Sequence, residues 1–299
     1  MGIHKILVSD SLHPDAIVWL KSQPGVEVEV EPKVSREELP KIIGGFDALI
    51  VRGRTQVGAE EIQRGRRLRV IGRAGTGLDN IDIKAAEKAR VLVLNAPGAN
   101  ANAVAELTIG LIIALARHLP EAFTAREKLQ GYGWELEGKR LGIVGLGRIG
   151  SRVAYLASAF GMQLMACEPD PKAGPTDLKI KRVDFTTLLK ESDVITLHVP
   201  LIEQTRHLLD GKALSEVKEG QAIVNTARAE IVDEAALLKA LDQGRVSGYA
   251  TDVFQDERLI GHPRVLLTPH IGAQTEEAQR RAGLEIAERV VLALRDMPG

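Results

Sequence analysis

The segment Leu141–Phe160 constrains the fold of this chain more than any other part of it. Its apolar run Leu141–Val144 is followed by the sequence GLGRIG and then by a helical pattern. In such a strand–turn–helix, Gly145 allows the tight turn, Gly147 lets a pyrophosphate approach the backbone, and Gly150 lets helix and strand pack closely. The helix N-terminus offers unpaired N–H groups and a positive dipole end to phosphate. The pattern predicts a dinucleotide site; the alternative is a glycine turn without a ligand.

An acidic residue follows the next predicted strand. Glu168 stands 18 residues after Gly150. A carboxylate at this place accepts hydrogen bonds from the adenosine ribose hydroxyls and repels a 2′-phosphate. We therefore expect NAD rather than NADP, the alternative being an acidic residue that merely ends a strand.

Short runs rich in β-branched residues recur along the first third of the chain. Several are continuously apolar rather than alternating, which is typical of strands covered on both faces of a parallel sheet. The predicted strands of this first series are Lys5–Ser9, Val26–Val30, Ala48–Val51, Arg69–Ile71 and Val91–Asn95.

A second series of six strands follows, separated by helical stretches such as Arg148–Phe160 and Glu234–Asp242. Strands and helices in alternation predict a doubly wound parallel sheet, so the chain as a whole predicts two α/β domains. The predicted strands of this second series are Leu141–Val144, Gln163–Cys167, Val194–Val199, Ala222–Asn225, Gly248–Val253 and Val265–Thr268.

Two longer helices are predicted outside the second series. One spans Asn102–His118, with Asn102 as a potential N-cap. The other spans Thr275–Met297 and could return the chain to the first domain. Its apolar residues recur near helical spacing at Ala278, Ala282, Ile286, Val290 and Leu294.

Composition excludes several classes of protein. The 299 residues suggest two domains, and 39 basic against 40 acidic residues give no support to nucleic-acid or membrane binding by bulk charge. One cysteine, Cys167, excludes a disulfide framework and a Cys-rich zinc module, and we expect no metal. The longest apolar stretch, Leu107–Ala116, is far shorter than the roughly 20 residues of a membrane span. We expect a cytoplasmic protein.

Seven ordered blocks, which together run along nearly the whole chain, resemble the D-isomer-specific 2-hydroxyacid dehydrogenases. The resemblance implies a flavodoxin-like substrate domain, residues 1–98 and 271–299, and an NAD-binding Rossmann domain, residues 99–270. The blocks are Val51–Val57, Gly72–Asp82, Asn95–Glu106, Leu141–Gly150, Asn225–Glu234, Asp252–Glu257 and Leu266–Thr275.

The resemblance also implies the residues of the active site. The family's catalytic Arg, Glu and His fall on Arg228, Glu257 and His270. The implied cofactor-binding residues are Thr76, Gly145, Gly147, Arg148, Ile149, Gly150, Glu168, Val199, Pro200, Thr226, Ala227, Arg228, Asp252, His270 and Gly272.

The chemistry of a 2-hydroxy acid suits these side chains. Its oxidation needs a base that titrates near neutral pH, and His270 follows the last predicted strand, at the carboxyl ends where open α/β sheets bind ligands. A carboxylate nearby would favour the imidazolium; Glu257 matches the family spacing, while Asp256 is an adjacent alternative. The planar fork of Arg228 suits bidentate binding of a substrate carboxylate.

The chain departs from the family pattern at several positions. Glu168 replaces the usual Asp, and Ala229 with Glu230 stands where Gly-Gly is common. Arg258 follows the catalytic Glu where Pro is common, and only twelve residues separate Glu257 from His270. We expect a slightly altered ribose pocket and active-site rim.

The expected substrate is D-3-phosphoglycerate, oxidised to 3-phosphohydroxypyruvate in serine biosynthesis. Arg52 and Arg54 follow one predicted strand and could bind a phosphate, although a solvated basic face is nearly as good a reading. Backbone amides of Thr76 and Gly77 are candidates for the carboxylate. The alternatives are a glyoxylate or hydroxypyruvate reductase and, more remotely, an NAD(H)-sensing corepressor-like protein.

The resemblance further implies a homodimer formed through the cofactor domain, commonly by the helix at Asn102–His118. The sequence ends at Gly299, so we expect no C-terminal serine-binding regulatory domain of the kind that some family members carry. We expect a small 2-hydroxy or 2-keto acid as the partner, and neither nucleic acid nor membrane.

Overall fold

The computed structural model describes residues 3–127 and 131–297. The chain divides into two compact units, which are Met1–Asn100 with Gln274–Gly299 and Ala101–Ala273. These bounds differ by a few residues from the domain bounds predicted above, whose ends at 1 and 299 lie outside the described residues.

Twelve strands and eleven α-helices are numbered here in chain order within the described residues. The strands are β1 (His4–Val8), β2 (Val26–Val30), β3 (Ala48–Val51), β4 (Val70–Arg73), β5 (Leu92–Asn95), β6 (Arg140–Val144), β7 (Gln163–Cys167), β8 (Ile180–Arg182), β9 (Val194–Leu197), β10 (Gln221–Asn225), β11 (Val246–Thr251) and β12 (Val265–Leu267). The helices are α1 (Pro14–Lys21), α2 (Leu39–Ile42), α3 (Ala59–Arg64), α4 (Ile83–Ala89), α5 (Ala101–Ala116), α6 (Leu119–Thr124), α7 (Arg148–Ala159), α8 (Phe185–Glu191), α9 (Gly211–Glu216), α10 (Glu234–Asp242) and α11 (Glu276–Asp296).

The first unit is built on a five-stranded parallel sheet in the order β2-β1-β3-β4-β5. Successive residues of β1 face opposite hydrophobic clusters, with Leu7 in one and Ile6 and Val8 in the other. The sheet is therefore covered on both faces, as its continuous apolar runs predict. Helix α11 packs into the second cluster through residues that include Ile286 and Val290, and the predicted apolar stripe of this helix is buried.

The second unit is built on a seven-stranded parallel sheet in the order β12-β11-β10-β9-β6-β7-β8. The chain runs outward from β6 in both directions, so the order of strands reverses between β9 and β6. In open α/β sheets ligands bind at such a reversal, beyond the carboxyl ends of the strands. Two parallel α/β sheets confirm the predicted fold class.

The strand β8 is absent from the predicted series. It has three residues, Ile180–Arg182, two of them exposed and basic, and it lies at an edge of the sheet. A short charged edge strand lacks the apolar run by which the others were recognised. The predicted strands themselves appear with bounds that move by at most two residues.

The predicted N-cap of the long helix is wrong. Helix α5 begins at Ala101, so Asn102 lies inside it. The Asn102 amide donates to Glu106 Oε1, one turn further along the helix, at 2.5 Å. Its oxygen accepts from Arg152 Nε at 2.7 Å, so both ends of the side chain that was expected to cap have other partners. Within the described residues, no helix has both the length and the apolar character needed to cross a membrane.

Candidate active site

Three neighbouring strands of the second sheet end beside the residues proposed for catalysis. Arg228 follows β10, Glu257 follows β11, and His270 follows β12. Strand β11 pairs in parallel with both of the other two. Because the carboxyl ends of parallel neighbours meet at one edge, residues far apart in sequence reach the same side of this unit.

The segment that carries His270 is held by Asp252. Both oxygens of this buried carboxylate accept backbone N–H groups, Oδ1 from Ile271 at 2.8 Å and Oδ2 from Gly272 at 2.7 Å. Oδ1 also accepts the Thr268 hydroxyl at 2.6 Å, and the Asp252 carbonyl accepts the His270 N–H at 3.1 Å. His270 adopts a left-handed φ of 56°, which is uncommon for a residue other than glycine. The Asp252 contacts hold this conformation and leave the imidazole exposed.

The carboxylates after β11 have different roles. Asp256 caps the 3-10 turn Glu257–Leu259 by accepting the Arg258 N–H, and its oxygens also accept the Arg258 guanidinium at 2.5 to 3.1 Å. The Asp256 carboxylate is therefore paired with Arg258 of its own loop. Glu257, by contrast, is exposed. Within the described residues, no hydrogen bond or ion pair joins Glu257 to His270.

The loop that carries Arg228 is fixed by buried Asn225. The Asn225 amide donates to the Arg228 carbonyl at 2.8 Å, and its oxygen accepts the Ala227 N–H at 3.0 Å. Arg228 Nη1 donates to the Ala227 carbonyl at 2.7 Å. Ala229 is buried in the 3-10 turn that follows, so a methyl group is accommodated where the family often has glycine.

The glycine turn between β6 and α7 has the geometry that its sequence predicts. Gly145 has a φ of +93°, and a Cβ on Gly150 would lie 2.0 Å from the Gly145 carbonyl oxygen. A Cβ on Gly147 would meet no atom within 4 Å, so the backbone there is open to a close approach. Gly147 is the N-cap of α7 and supplies no side-chain oxygen to its N–H groups. The first turn, which begins with Arg148 and Ile149, thus keeps its N–H groups available for a pyrophosphate.

Glu168 links the glycine turn to the loop after β7. Its Oε2 accepts the Leu146 N–H at 2.8 Å, and its Oε1 accepts the Asp170 N–H at 3.0 Å. Each carboxylate oxygen can accept further hydrogen bonds, so the side chain can receive ribose hydroxyls while holding the turn. These residues fit the adenosine half of NAD.

The remaining candidates for the cofactor follow β9, β10 and β12. A Cβ on Gly145 would lie 3.0 Å from Val199, and Pro200 comes next. The buried hydroxyl of Thr226 lies 3.0 Å from that of Thr108, which already donates to the Val104 carbonyl. Thr226 is therefore the donor in this pair, and its own oxygen keeps its lone pairs for a ligand. Gly272 is buried against Asp252, where a Cβ would lie 2.9 Å from the carboxylate.

The two arginines proposed for phosphate lie in the first unit and have protein partners. Arg54 donates to the carbonyls of Ser9 at 2.5 Å and Val34 at 3.0 Å, and its Nε pairs with Asp10 at 3.1 Å. Asp10 also accepts the Arg52 N–H at 2.6 Å, and the Arg52 guanidinium donates to a backbone carbonyl at 3.2 Å. Arg54 therefore holds segments of its unit together, whereas the Arg52 guanidinium makes one hydrogen bond within the described residues.

The proposed carboxylate-binding turn, which includes Thr76 and Gly77, follows β4 in the same unit. The Asn95 amide donates to the Thr76 carbonyl at 2.7 Å, and the Thr76 hydroxyl donates to Asn100 Oδ1 at 2.9 Å. These contacts hold the turn from the end of the neighbouring strand β5.

Sequence reasoning overlooked two acidic residues that shape these loops. Asp10, 3% exposed, organises the loop that contains Arg52 and Arg54. Glu234, 8% exposed, accepts backbone N–H groups from the segment before Glu257. Asp10 directly follows a buried strand, and that position was a signal that could have identified it. Glu234 gave no comparable signal because its partners are about twenty residues away.

Comparison with known proteins relates the chain to one enzyme family. Residues 109–272, more than half of the chain, match the family model of the D-isomer specific 2-hydroxyacid dehydrogenase, NAD binding domain. The chain is 44% identical to the hydroxypyruvate reductase of Thermotoga maritima over 303 residues, with 97% of this chain and 98% of the relative covered.

Other relatives carry a different name and are longer. The D-3-phosphoglycerate dehydrogenase of Methanocaldococcus jannaschii is 43% identical over 97% of this chain, but the chain covers only 57% of that relative. Among solved structures, the NAD⁺-bound 3-phosphoglycerate dehydrogenase of Entamoeba histolytica aligns with a TM-score of 0.86 at 32% identity, covering 99% of this chain and 96% of that one.

Proposed function

Because the chain belongs to the D-isomer-specific 2-hydroxyacid dehydrogenase family and carries its NAD-binding domain, we propose that it interconverts a D-2-hydroxy acid and the corresponding 2-keto acid. The convergence of Arg228, Glu257 and His270 at the ends of three adjacent parallel strands carries this proposal. Bound NAD supplies the acceptor for the hydride that leaves the substrate carbon.

The three side chains have complementary roles in this proposal. His270 takes the hydroxyl proton in oxidation and returns it in reduction, because an imidazole can carry a proton near neutral pH. Arg228 holds the substrate carboxylate through two parallel N–H donors. Glu257 orients the imidazole and stabilises its protonated form once substrate brings the two together. Asp252 keeps the His270 segment in place through the contacts described above.

The first candidate substrate is D-3-phosphoglycerate, which would place the chain in serine biosynthesis. Its phosphate would pair with Arg52, whose guanidinium lies near Asp10 but donates, within the described residues, to one backbone carbonyl, that of Ser11 at 3.2 Å. Relatives from several organisms that carry the name D-3-phosphoglycerate dehydrogenase support this choice.

The second candidate is the reduction of hydroxypyruvate or glyoxylate. Two observations favour it. The T. maritima hydroxypyruvate reductase matches along nearly its full length, and the Arg54 guanidinium is already engaged by Asp10 and two carbonyls. We also propose that the protein is cytoplasmic and forms a homodimer. Light scattering of the purified chain measures the molar mass and so tests the dimer, and fractionation of the source cells tests the location.

Initial rates with a substrate panel test the function. The panel contains D-3-phosphoglycerate, glycerate, 3-phosphohydroxypyruvate, hydroxypyruvate and glyoxylate, run in the appropriate direction with NAD(H) and NADP(H). We expect turnover with NAD(H) and a preference for the phosphorylated pair that falls in Arg52→Gln. Equal rates on hydroxypyruvate and its phosphate would favour the second candidate, and NADH binding without turnover would favour a sensor.

The variant His270→Gln tests the acid–base role. We expect its kcat to fall about 100- to 10,000-fold, the usual contribution of a positioned acid–base group, and NADH affinity to change far less, although His270 is also among the proposed cofactor-binding residues. His262→Gln is the matched control, because His262 bonds to Asp242 on the surface of the same unit. A His270→Gln enzyme with near-normal kcat would contradict the mechanism.

A further inference from the structure

Besides Asp252, the second unit buries the carboxylate of Glu234, whose partners lie in the loop that leads to Glu257. Glu234 is the first residue of α10, and Asp233 caps that helix by accepting the Ala236 N–H at 3.0 Å. Although charged, the Glu234 residue is only 8% exposed. Burial of a carboxylate is unfavourable unless hydrogen bonds compensate for the lost water, so the position of this side chain requires an explanation.

The partners of Glu234 are backbone groups of one segment. Its Oε2 accepts the Gln255 N–H at 3.0 Å and the Asp256 N–H at 2.6 Å, and its Oε1 lies 3.3 Å from the Gln255 nitrogen. Glu230 adds a contact by accepting from the Gln255 side-chain amide at 3.0 Å. Burial raises the pKa of Glu234, and the two backbone N–H groups oppose that effect.

The segment that Glu234 holds leads directly to Glu257. Asp256, whose N–H it accepts, is the N-cap of the 3-10 turn that begins at Glu257, and the third residue of that turn, Leu259, is fully buried. The backbone of Glu257 is therefore held on both sides, by the Asp256 N–H that Glu234 accepts and by the buried side chain of Leu259. Its own side chain is exposed, and no hydrogen bond or ion pair orients it within the described residues.

We propose that Glu234 is a positioning residue for the reaction: its buried carboxylate sets the place of Glu257 by holding the N–H groups of Gln255 and Asp256. The inference rests on the proposed function, since it assigns Glu257 to the orientation of His270. Glu234 touches neither substrate nor cofactor in this scheme and acts only through Glu257.

A double-mutant cycle in the full-length chain tests this coupling. We expect Glu234→Ala to lower kcat roughly 10- to 100-fold, since small displacements of a catalytic group have effects of that size, with NADH affinity little changed. In the Glu257→Gln background the same substitution should change kcat by no more than about twofold, because the residue through which it acts is already disabled. Glu234→Gln keeps the side-chain volume and one acceptor oxygen, so its kcat should lie between those of the unmodified chain and Glu234→Ala. This variant keeps the test valid if Glu234→Ala fails to fold.

Hydrogen exchange provides a readout that does not depend on activity. We expect Glu234→Ala to accelerate exchange in peptides that contain Gln255 and Asp256, with the strands of the sheet unchanged. Glu276→Gln is the matched control, because Glu276 is also the first residue of a long helix but its carboxylate is exposed and bonds to His13. The control should leave both exchange and kcat unchanged.

The outcomes separate this inference from the proposed function. Unchanged exchange at Gln255 and Asp256, or a loss of kcat that is additive with Glu257→Gln, would overturn the positioning role. If the unmodified chain turns over no acid of the panel, the proposed function fails, and exchange alone then supports or overturns the holding of the segment by Glu234.

Discussion

At the scale of single residues, buried polar side chains fix the loops that carry the proposed site residues of each unit. Asp10, Asn225 and Asp252 are each less than 5% exposed, and each binds backbone groups of a loop that follows a strand. A buried polar group is stable only when hydrogen-bonded, so each of them restricts its loop to the conformation that satisfies it. The exposed candidate His270 is held in this way, since Asp252 binds the backbone of its segment.

His198 belongs to the same residue scale and gives a prediction for pH dependence. Its ring nitrogen Nε2 lies 2.9 Å from the Thr196 hydroxyl, and burial lowers its pKa from 6.5 to about 3. Between these values the unfolded chain binds a proton that the folded chain does not, so this residue reduces stability as pH falls from 6.5 towards 3. We expect a loss on the order of 1 kcal/mol between pH 7.5 and 5.5 that is absent in His198→Gln.

Chemical unfolding of both proteins at several pH values measures this contribution. The quantity of interest is the difference in the free energy of unfolding between the two proteins at each pH, which removes the effect of other titrating groups. His118→Gln, at an exposed position, is the control. Parallel pH profiles for the unmodified chain and His198→Gln would show that the His198 imidazole is not the group responsible.

At the scale of elements, the start of α7 differs from the starts of the three helices that follow it in the same unit. Helices α8, α9 and α10 begin after Asp184, Asp210 and Asp233, and each aspartate accepts a backbone N–H of the first turn. Helix α7 begins after Gly147, which has no side chain to offer. N–H groups without a partner at a helix start lower the stability of the chain. When a dinucleotide binds, the same groups can donate to its phosphates.

Alanine at two glycines of this turn should separate cofactor binding from folding. A methyl group on Gly147 meets no protein atom and its φ of −65° is permitted, so Gly147→Ala should leave the melting temperature nearly unchanged while weakening NADH binding at least about tenfold. On Gly150 the methyl group would lie 2.0 Å from a carbonyl oxygen, so Gly150→Ala should lower both the melting temperature and the NADH affinity. Calorimetric titration and thermal melting measure the two effects. Equal NADH affinity in Gly147→Ala and the unmodified chain would contradict a pyrophosphate at this turn.

At the scale of the whole molecule, each unit has hydrophobic clusters of its own. The two clusters around the seven-stranded sheet draw their residues from positions 105–267, and those around the five-stranded sheet draw theirs from positions 6–94 and 284–297. A unit that buries its own apolar surface can fold without its neighbour. The glycine turn and the three proposed catalytic residues all belong to the second unit.

The fragment 101–273 should therefore fold alone and bind NADH. We expect a cooperative melting transition and an NADH affinity within about tenfold of the full chain, because every proposed cofactor residue except Thr76 is present in the fragment. It should show no turnover, since Arg52, Thr76 and Gly77 are absent. Circular dichroism, titration calorimetry and the substrate panel test these points. A fragment that stays unfolded would show that the clusters of this unit are insufficient.

The sequence by itself determined the two parallel sheets, the glycine turn and the strand ends that carry Arg228 and His270. These depend on local patterns, since apolar runs, helical spacing and glycines act over a few neighbouring residues. Their physical causes are burial on both faces of a sheet and the backbone freedom of glycine. Both can be inferred from the sequence without knowing which residues pack against these segments.

Only the tertiary structure decided which polar side chains are already engaged. Asp256 and Glu257 look equivalent in sequence, but Arg258 and the 3-10 turn occupy Asp256. Asn102 could cap a helix, yet Arg152 and Glu106 bind it within α5. Asp256 and Arg258, like Asn102 and Glu106, are near in sequence, whereas Arg152 lies 50 residues from Asn102. Which of its possible partners a side chain takes is set by how strands and helices pack, which no local pattern encodes.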